Sequence, residues 1–395
     1  MRNHIRTSRP LRDPPWRRPL AQGPAWLERV YRRIFARADI QVDGGRPWDI
    51  RVFDRRLYRR LSLFGSLGLG ESYVEGWWEA PELDEFFARL MAAELDEQVV
   101  NIPRILAVLS ACMRNLQSIG RARKVGEVHY DIGNDFYRAM LGPTLVYTCA
   151  YWPNADNLDD AQTAKLDLVC RKLQLQPGMR VLDIGCGWGS FARYAAQNYG
   201  VRVVGVTISA EQAEFARQYC AGLPVEIRLE DYREVSGRFD RIASLGMFEH
   251  VGHKNYAAYM DCVKRSLVDD GLFVMQTIGR NERGTGIDPW VTRYIFPNSE
   301  VPSLQRTSRA VSGCFVVEDL HNFGADYDLT LMSWFANFNR EWPRFRARMP
   351  DDFYRVWKYY LLMFAGVFRA RGLQLWQLVL APKRTGSRYL RPQAL

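Results

Sequence analysis

Residues 181–190, which read V-L-D-I-G-C-G-W-G-S, decide the fold class of this chain. An apolar run that contains an acid passes directly into alternating glycines, and residues 191–199 follow with a helical pattern. This order predicts a strand, a tight turn and the start of a helix. Because glycine tolerates positive φ and a helix start offers unpaired N–H groups, we expect the turn to hold a ligand.

The spacing of these glycines narrows the kind of ligand. It is G-x-G-x-G, which differs from the dinucleotide fingerprint G-x-G-x-x-G, and the chain has no phosphate loop of the form G-x-x-x-x-G-K-[ST]. Glycines after a strand are often only turn chemistry. Together with the preceding V-L-D-I, they resemble motif I of the class I S-adenosylmethionine (SAM) methyltransferases. The resemblance implies an α/β fold with a doubly wound seven-stranded sheet.

Strands and helices alternate regularly through the second part of the chain. The sequence S-A-E-Q at residues 209–212 is a capping box that predicts a helix start. Ligands of such a sheet bind beyond the carboxyl ends of its strands. The strands are predicted at residues 179–184, 201–206, 225–229, 239–244, 271–277, 315–318 and 373–380.

Length and composition indicate a globular protein of two domains. The chain has 395 residues, of which 47% are hydrophobic and 25% charged, so it can bury a sizeable core. It contains no long uncharged apolar run and no apolar signal region, which argues against a transmembrane helix and against secretion. Its 7 cysteines form no C-x-x-C pair. We therefore expect reduced thiols in a cytoplasmic protein, and no metal site.

Positive charge is concentrated at the N-terminus, although the chain as a whole carries only +10. Residues 1–60 contain sixteen arginines and six acids, so they account for all of that charge. Prolines among the arginines predict a disordered basic arm over residues 1–22. A basic end suits an anionic membrane surface or polymer, although arginines also serve solubility alone.

A small α+β domain is predicted over residues 23–93, followed by a connecting region at 94–124 and a catalytic domain at 125–395. The N-terminal domain should contain helices at 24–37 and 82–93 and strands at 48–53 and 57–64. Trp77 and Trp78 are adjacent. Since indole combines an apolar body with a polar N–H, the pair suits either a lipid headgroup layer or the core.

The glycine turn is one of seven segments between residues 120 and 382. The sequences and order of these segments resemble those of the cyclopropane-fatty-acyl-phospholipid synthases. Several long motifs in one order are far more specific than a glycine turn. The segments are H-Y-D-I-G-N-D-F-Y, Y-T-C-A-Y-W, V-L-D-I-G-C-G-W-G, G-V-T-I-S-A-E-Q, M-F-E-H-V-G, I-F-P-N and F-G-A-D-Y-D.

The resemblance implies methylene transfer from SAM to the cis double bond of an acyl chain in a membrane phospholipid. An alkene has no proton to lose before attack, so the first step requires proximity to the electrophilic methyl group. The resulting carbocation loses a proton as the ring closes. Such a site needs aromatic faces, apolar walls and one weak base.

In that family a bicarbonate ion is the implied base. The resemblance assigns its binding to Cys149, Glu249, Ile278 through its backbone, and Tyr327. From the residues alone, Glu249 also fits a structural acid and Cys149 a small buried hydrophobe. His250 fits either an orienting or a structural histidine.

Gln276 departs from the family pattern, in which histidine commonly precedes T-I-G. A glutamine amide donates a hydrogen bond but does not titrate near neutral pH. Anion binding is therefore expected to survive, while charge assistance is lost. The departure keeps open a methyl-branched or methylenated product, and a lipid-binding protein without catalysis.

The cofactor residues carried over from the resemblance surround the glycine turn. Gly185 and Gly187 are assigned to the methionine portion, with Asp183 supporting the turn. Many SAM enzymes have an acid after the second strand, where this chain has Thr207. The remaining residues assigned to the cofactor are Tyr130, Tyr147, Gln212, Asp231 and Tyr232.

The partner follows from the same resemblance: unsaturated phospholipid, reached by an enzyme peripherally attached to the inner face of the membrane. A possible homodimer is implied by the family alone, because no heptad pattern demands one. Arginine richness also allows an RNA methyltransferase. Since the sequence has no aromatic and basic interleaving typical of an RNA module, we expect no nucleic acid partner.

Overall fold

A seven-stranded sheet organises the structure, a computed structural model that describes residues 23–93, 132–281, 287–297, 299–383 and 389–392. The strands in this part of the chain are β1 (Arg51–Val52), β2 (Trp78–Glu79), β3 (Arg180–Ile184), β4 (Arg202–Thr207), β5 (Val225–Leu229), β6 (Phe239–Leu245), β7 (Leu267–Gly279), β8 (Phe315–Asn322) and β9 (Gln374–Pro382).

The sheet has the strand order β5-β4-β3-β6-β7-β9-β8. Its first five strands are parallel, and β9 runs antiparallel to both β7 and β8. All seven strands predicted from the sequence are present, so the doubly wound α/β sheet is confirmed. The order reverses between β3 and β6, which is where a sheet of this kind opens a crevice for ligands.

Helices cover the sheet and build the N-terminal part. Their apolar stripes are buried, as at Leu27, Tyr31 and Phe35 of the first one. The α-helices described are α1 (Ala25–Arg37), α2 (Arg56–Val74), α3 (Leu83–Ala92), α4 (Asn134–Leu141), α5 (Leu158–Lys172), α6 (Ser190–Tyr199), α7 (Ala210–Tyr219), α8 (Tyr256–Ser266), α9 (Pro289–Tyr294), α10 (Leu304–Ser312), α11 (Asp326–Phe345) and α12 (Phe353–Arg369).

The strand predicted at residues 57–64 is wrong, because these residues belong to α2. Leu57, Tyr58 and Leu61 are all buried, and their spacing places them on one face of a helix rather than on one face of a strand. Gly65 interrupts the helical dihedrals with φ 54° and ψ −129°, so the chain kinks and continues as helix. The β-structure predicted at 48–53 is limited to the two residues of β1.

Trp77 and Trp78 lie in the core, which is one of the two interpretations that the sequence leaves open for this pair. They are 9% and 0% exposed. The guanidinium of Arg60 lies 4.2 Å from the Trp77 ring centroid, which satisfies its face by a cation–π contact. Trp78 Nε1 donates to the carbonyl of Leu69 at 2.9 Å. Burial and a hydrogen bond therefore account for both indoles.

The N-terminal helices pack against α12. Tyr359 of α12 contacts the rings of Tyr73 and Phe87, with centroids 5.3 and 5.2 Å apart. At Gly366 the backbone of α3 approaches so closely that a Cβ would overlap the carbonyl oxygen of Asp84. One hydrophobic cluster accordingly runs from α1 to α12.

Two predicted segments fall outside the described residues: the basic arm at 1–22 and the connecting region at 94–124. Where the chain is described, none of its helices is both long and apolar enough to cross a membrane. The boundaries proposed for the N-terminal and catalytic domains stay predictions.

Candidate active site

A cavity of about 230 Å³ lies at the carboxyl ends of the parallel strands. Its lining comes from the turns that follow four neighbouring strands: residues 185–188 after β3, 207–209 at the end of β4, 230–233 after β5 and 246–247 after β6. This is the position expected from the reversal of strand order. The cavity therefore coincides with the ligand site predicted from the glycine turn.

The glycine turn has the conformation that its sequence predicts. Gly185, Gly187 and Gly189 have φ of 79°, 54° and 84°, values that L side chains rarely adopt. A Cβ at Gly185 would also lie 2.8 Å from Cγ of Met247, which packs against the turn. The turn is tied to β4 because the amide of Gly185 donates to the carbonyl of Val206 at 2.9 Å.

Eight of the nine predicted cofactor residues line this one cavity; the ninth, Tyr130, lies outside the described residues. On the β4 side, Thr207 Oγ1 donates to Gln212 Oε1 at 3.1 Å. Ser209 Oγ caps α7 by accepting from the amide of Gln212, as the capping box predicts. The eight lining residues are Tyr147, Asp183, Gly185, Gly187, Thr207, Gln212, Asp231 and Tyr232.

Asp231 has both carboxylate oxygens engaged by Arg233. The guanidinium Nε and Nη2 of Arg233 donate to Oδ1 and Oδ2 at 2.7 Å each, and its backbone amide donates to Oδ1 at 3.0 Å. The pair forms one wall of the cavity. This bidentate contact fixes the carboxylate at the mouth of the turn after β5.

None of the predicted catalytic residues lines this cavity, and two of them, Glu249 and Ile278, contact each other. Glu249 Oε1 accepts from the backbone amide of Ile278 at 2.6 Å. This contact joins the loop after β6 to β7, just past the Leu245–Gln276 pair where the β6–β7 ladder ends. Its Oε2 is buried and has no hydrogen-bond partner among the residues that the structure describes. Burial raises the pKa of Glu249 to about 7, against the opposing effect of the Ile278 amide.

Cys149 lies against the helix that carries Tyr327, since its Sγ is 3.8 Å from Oγ1 of Thr330 on α11. Burial raises the pKa of the Cys149 thiol well above its usual range and does the same for the Tyr327 phenol, so both groups keep their protons. Cys149 Sγ contacts the carbonyl of Ala150 at 3.2 Å. Tyr327 stacks on Phe368 with ring centroids 4.4 Å apart.

Gln276 is fully buried in the centre of β7. Its Oε1 accepts from Nε2 of Gln377 on β9 at 2.9 Å. Its own Nε2 has no hydrogen-bond partner within the described ranges. Side chains alternate along a strand, so Gln276 and Ile278 lie on the same face of β7.

Tyr147 joins the cavity to an aromatic cluster. Its ring lines the cavity and lies 5.3 Å from the ring of Trp334 and 6.5 Å from that of Phe296. Its hydroxyl lies 3.1 Å from that of Tyr360. The cluster extends from Trp334 to Tyr327, with centroids 6.3 Å apart. Aromatic rings therefore connect the cofactor residues with the predicted catalytic residues.

Comparison with known proteins agrees with this arrangement. The family described as mycolic acid cyclopropane synthetase matches residues 117–378. This chain belongs to the mycolic acid cyclopropane synthetase family. A protein named cyclopropane-fatty-acyl-phospholipid synthase, from Escherichia coli strain K12, is 50% identical over 352 residues, which cover 89% of this chain and 92% of the relative.

Solved structures of other family members have the same architecture. The cyclopropane synthase MmaA2 from Mycobacterium tuberculosis aligns with a TM-score of 0.62 at 30% identity, covering 66% of this chain and 98% of that one. The mycolic acid cyclopropane synthase CmaA1, complexed with SAH and CTAB, aligns with a TM-score of 0.61 at 32% identity, covering 65% of this chain and 97% of that one. The class I SAM methyltransferase fold predicted for this family member is confirmed.

Sequence reasoning missed Lys165, which lines the cavity of this cyclopropane synthetase family member from α5. Lys165 is 1% exposed, and its Nζ donates to Thr148 Oγ1 at 3.0 Å. Burial lowers the pKa of Lys165 to about 8 and raises that of Asp183 to about 7, each partly offset by the other. The available signal was the spacing of Lys165, Leu168 and Lys172, which puts two lysines on a buried stripe.

His250 lines the same cavity, and its Nδ1 lies 3.1 Å from Ser299 Oγ. Burial lowers the pKa of His250 to about 4, so the imidazole is neutral at neutral pH. This hydrogen bond satisfies one ring nitrogen. It is compatible with both interpretations that the sequence leaves open for His250.

Proposed function

We propose that this protein transfers a methylene group from SAM to the cis double bond of unsaturated acyl chains in membrane phospholipids, giving cyclopropane fatty acids. The observation that carries the proposal is the continuity of residues 147–149. Tyr147 lines the cavity predicted for the cofactor, whereas Cys149 Sγ lies 3.8 Å from Thr330 Oγ1, on the same helix as Tyr327. A methyl donor and an acyl chain bound on the two sides of this segment would meet at it.

The residues of the glycine turn are suited to hold SAM, which supplies an electrophilic methyl group when bound. Positive φ at Gly185 and Gly187 leaves the backbone open to close approach by the methionine portion. Thr207 and Gln212 present a hydroxyl and an amide to the ribose and adenine side. Lys165 and Asp183 form the buried floor.

The aromatic cluster is suited to the charge that develops on the acyl chain. Methyl transfer to an alkene leaves a carbocation, and the faces of aromatic rings attract positive charge. Tyr147 and Trp334 provide such faces beside the cavity. Because these rings are packed in the core, they also exclude water, which would otherwise trap the cation.

The residues around Glu249 fit a bound bicarbonate, which would supply the weak base that takes the final proton. The fit rests on the buried Nε2 of Gln276, a donor without a partner among the described residues, and on the protonated phenol of Tyr327. The Ile278 amide is engaged by Glu249, so Glu249 would orient this site. Anions bind where several such donors converge in a buried site.

Membrane attachment is proposed for the exposed stripe of α1. Trp26 and Val30 are 54% and 40% exposed, and Arg29 and Arg33 lie exposed between and beyond them. Aromatic and basic side chains on one helix face suit the interface of an acidic bilayer. The enzyme would then act in the cytoplasm from the inner face of the membrane, with the basic arm as a second contact.

The test is the acyl-chain profile of a host that lacks cyclopropanated lipid after this chain is expressed. The proposal requires acyl chains that contain one additional carbon and carry a three-membered ring in place of the double bond. A methyl-branched or methylenated chain would instead support the alternative that Gln276 keeps open. An unchanged profile, with the protein folded and able to bind SAM, would favour a lipid-binding protein without catalysis.

A further inference from the structure

A chain of buried hydrogen bonds stands behind Gln276. Nζ of Lys172, on α5, donates to Oε1 of Gln377 at 2.9 Å, and Nε2 of Gln377 donates to Oε1 of Gln276 at 2.9 Å. The exposures of the three side chains are 1%, 0% and 0%. Buried polar groups at this depth are costly unless paired, so each link constrains the next.

Lys172 sets the direction of these hydrogen bonds. An ammonium group only donates, so the carbonyl end of the Gln377 amide must face Lys172. The NH₂ end of Gln377 then faces Gln276 and requires its carbonyl oxygen. The NH₂ end of Gln276 is left on the far side, where Nε2 is buried without a hydrogen-bond partner in the described part of the chain.

The surroundings of Lys172 keep it a donor near neutral pH. Burial lowers its pKa to about 8, while Asp319, with Oδ2 3.7 Å from Nζ, opposes the shift. Burial and the nearby Lys172 lower the pKa of His321 to about 4, so its imidazole is neutral. His321 Nδ1 lies 3.1 Å from Nζ and accepts from it. Arg391 pairs with Asp319 from the other side.

We propose that Lys172 and Gln377 are positioning residues, which orient the Gln276 amide so that its N–H groups, and not its carbonyl, face the anion site beside Glu249 and Ile278. The inference rests on the bicarbonate site of the proposed function. This arrangement explains how glutamine, which does not titrate, replaces the histidine common at this position. The charge of Lys172, and not protonation of the residue itself, ensures that Gln276 presents a hydrogen-bond donor to the anion.

The sharpest test is Gln377→Glu. A carboxylate paired with Lys172 only accepts, so Gln276 must turn its NH₂ toward residue 377 and its carbonyl toward the anion site. We expect the bicarbonate concentration for half-maximal activity, in buffer freed of carbon dioxide, to rise roughly tenfold or more. SAM affinity and the melting temperature should stay near those of the unmodified protein. The control is Gln374→Glu. It makes the same change at a buried position of β9 that takes no part in the hydrogen bonds between Lys172, Gln377 and Gln276.

Rescue separates positioning from a structural defect. In the Gln377→Glu background, Gln276→His should recover most of the bicarbonate response, because an imidazole beside a carboxylate is held protonated and donates on its other side. Loss of SAM binding or of folding in Gln377→Glu would overturn the inference, and so would an unchanged bicarbonate response.

Neutron diffraction of the perdeuterated protein, crystallised without bicarbonate, determines the orientation of the Gln276 side-chain amide directly. Nε2 of Gln276 should point away from residue 377 in the unmodified protein and toward it in Gln377→Glu. If the amide turns as expected but bicarbonate does not affect the rate of the unmodified protein, the positioning role stands and the proposed base fails. An amide that does not turn would refute the positioning role.

Discussion

Burial is the main control on the ionisation of Glu249. The Ile278 amide stabilises its charged form, yet burial dominates and places the pKa near 7. A carboxyl group with this pKa is partly protonated at neutral pH. It can therefore exchange a proton with a neighbouring anion at little cost.

The elevated pKa of Glu249 makes stability depend on pH. The folded state binds the proton more tightly than the unfolded state, whose carboxyl has a pKa near 4.5. The stabilisation is therefore complete below about pH 4.5 and is lost as pH rises through about 7, by on the order of 3 kcal/mol. Glu249→Gln lacks this loss, so its free energy of unfolding relative to the unmodified protein should increase between about pH 5 and pH 8.

Urea denaturation at the two pH values measures this difference. Glu214→Gln, on an exposed position of α7, is the control and should leave the pH dependence unchanged. If Glu249→Gln showed the same pH dependence as the unmodified protein, the carboxyl would not be neutralised by burial.

Single residues were predictable from sequence where a motif names them. Eight of the predicted cofactor residues line one cavity, and Gln276 stands out because it breaks a pattern. Lys165 and Gln377 were not predicted: the helical spacing of Lys165 was the one local signal, and Gln377 has none because a polar residue within a strand carries no mark of its burial. Their positions depend on which strands become neighbours, and β9 joins β7 from about a hundred residues away.

At the scale of elements, the turn after β3 is the predicted binding site for the methionine portion of the cofactor. Three of its glycines adopt positive φ, and Gly185 also packs directly against Met247. Backbone conformation and space are therefore both required at Gly185. A side chain at Gly185 would therefore collide with Met247.

Gly185→Ala should abolish SAM binding, because the new Cβ would lie 2.8 Å from Met247 Cγ and the positive φ would strain the turn, so both walls of the site must shift. Gly222→Ala is the matched control, since its φ of +81° is similar but nothing lies within 4 Å of the added methyl group. Both variants should lose about 1 kcal/mol of stability. Isothermal titration with SAM should detect the loss of binding in Gly185→Ala alone; equal affinities would contradict the assignment of this turn.

The strands of the sheet were predicted well because their apolar runs are bounded by turns and acids. The N-terminal part was predicted less well. Residues 57–64 have apolar spacing that fits a helix face, but the glycines that follow also fit a turn, whereas Gly65 only kinks α2. Tertiary packing against α1 and α12 stabilises that helix, and such contacts are invisible in a local pattern.

At the scale of the whole molecule, the N-terminal helices and α12 share one core. Gly366→Ala should destabilise the protein by about 1–3 kcal/mol, because its Cβ would overlap the backbone of α3. Gly313→Ala, which has nothing within 4 Å of the added methyl, should be neutral or slightly stabilising. Denaturant unfolding compares the two. A neutral Gly366→Ala would show that α3 and α12 do not pack this closely.

The proposed membrane binding also belongs to the whole molecule, since it would involve both the exposed stripe of α1 and the predicted basic arm. Combined Arg29→Gln and Arg33→Gln should weaken binding to anionic vesicles by about 2 kcal/mol, and the loss should shrink at high salt. Arg238→Gln, an exposed arginine directly before β6, is the control. Cosedimentation with vesicles measures the effect; equal binding by all three proteins would remove α1 as the contact.

The central claim is cyclopropanation of membrane phospholipid, and the most direct measurement uses purified protein, SAM and vesicles of cis-unsaturated phospholipid. Mass spectrometry and proton NMR of the recovered lipid should show one added methylene per modified chain, a cyclopropane ring in place of the double bond, and one S-adenosylhomocysteine released for each. Unchanged lipid with no S-adenosylhomocysteine, or an added carbon with the double bond retained, would contradict the claim.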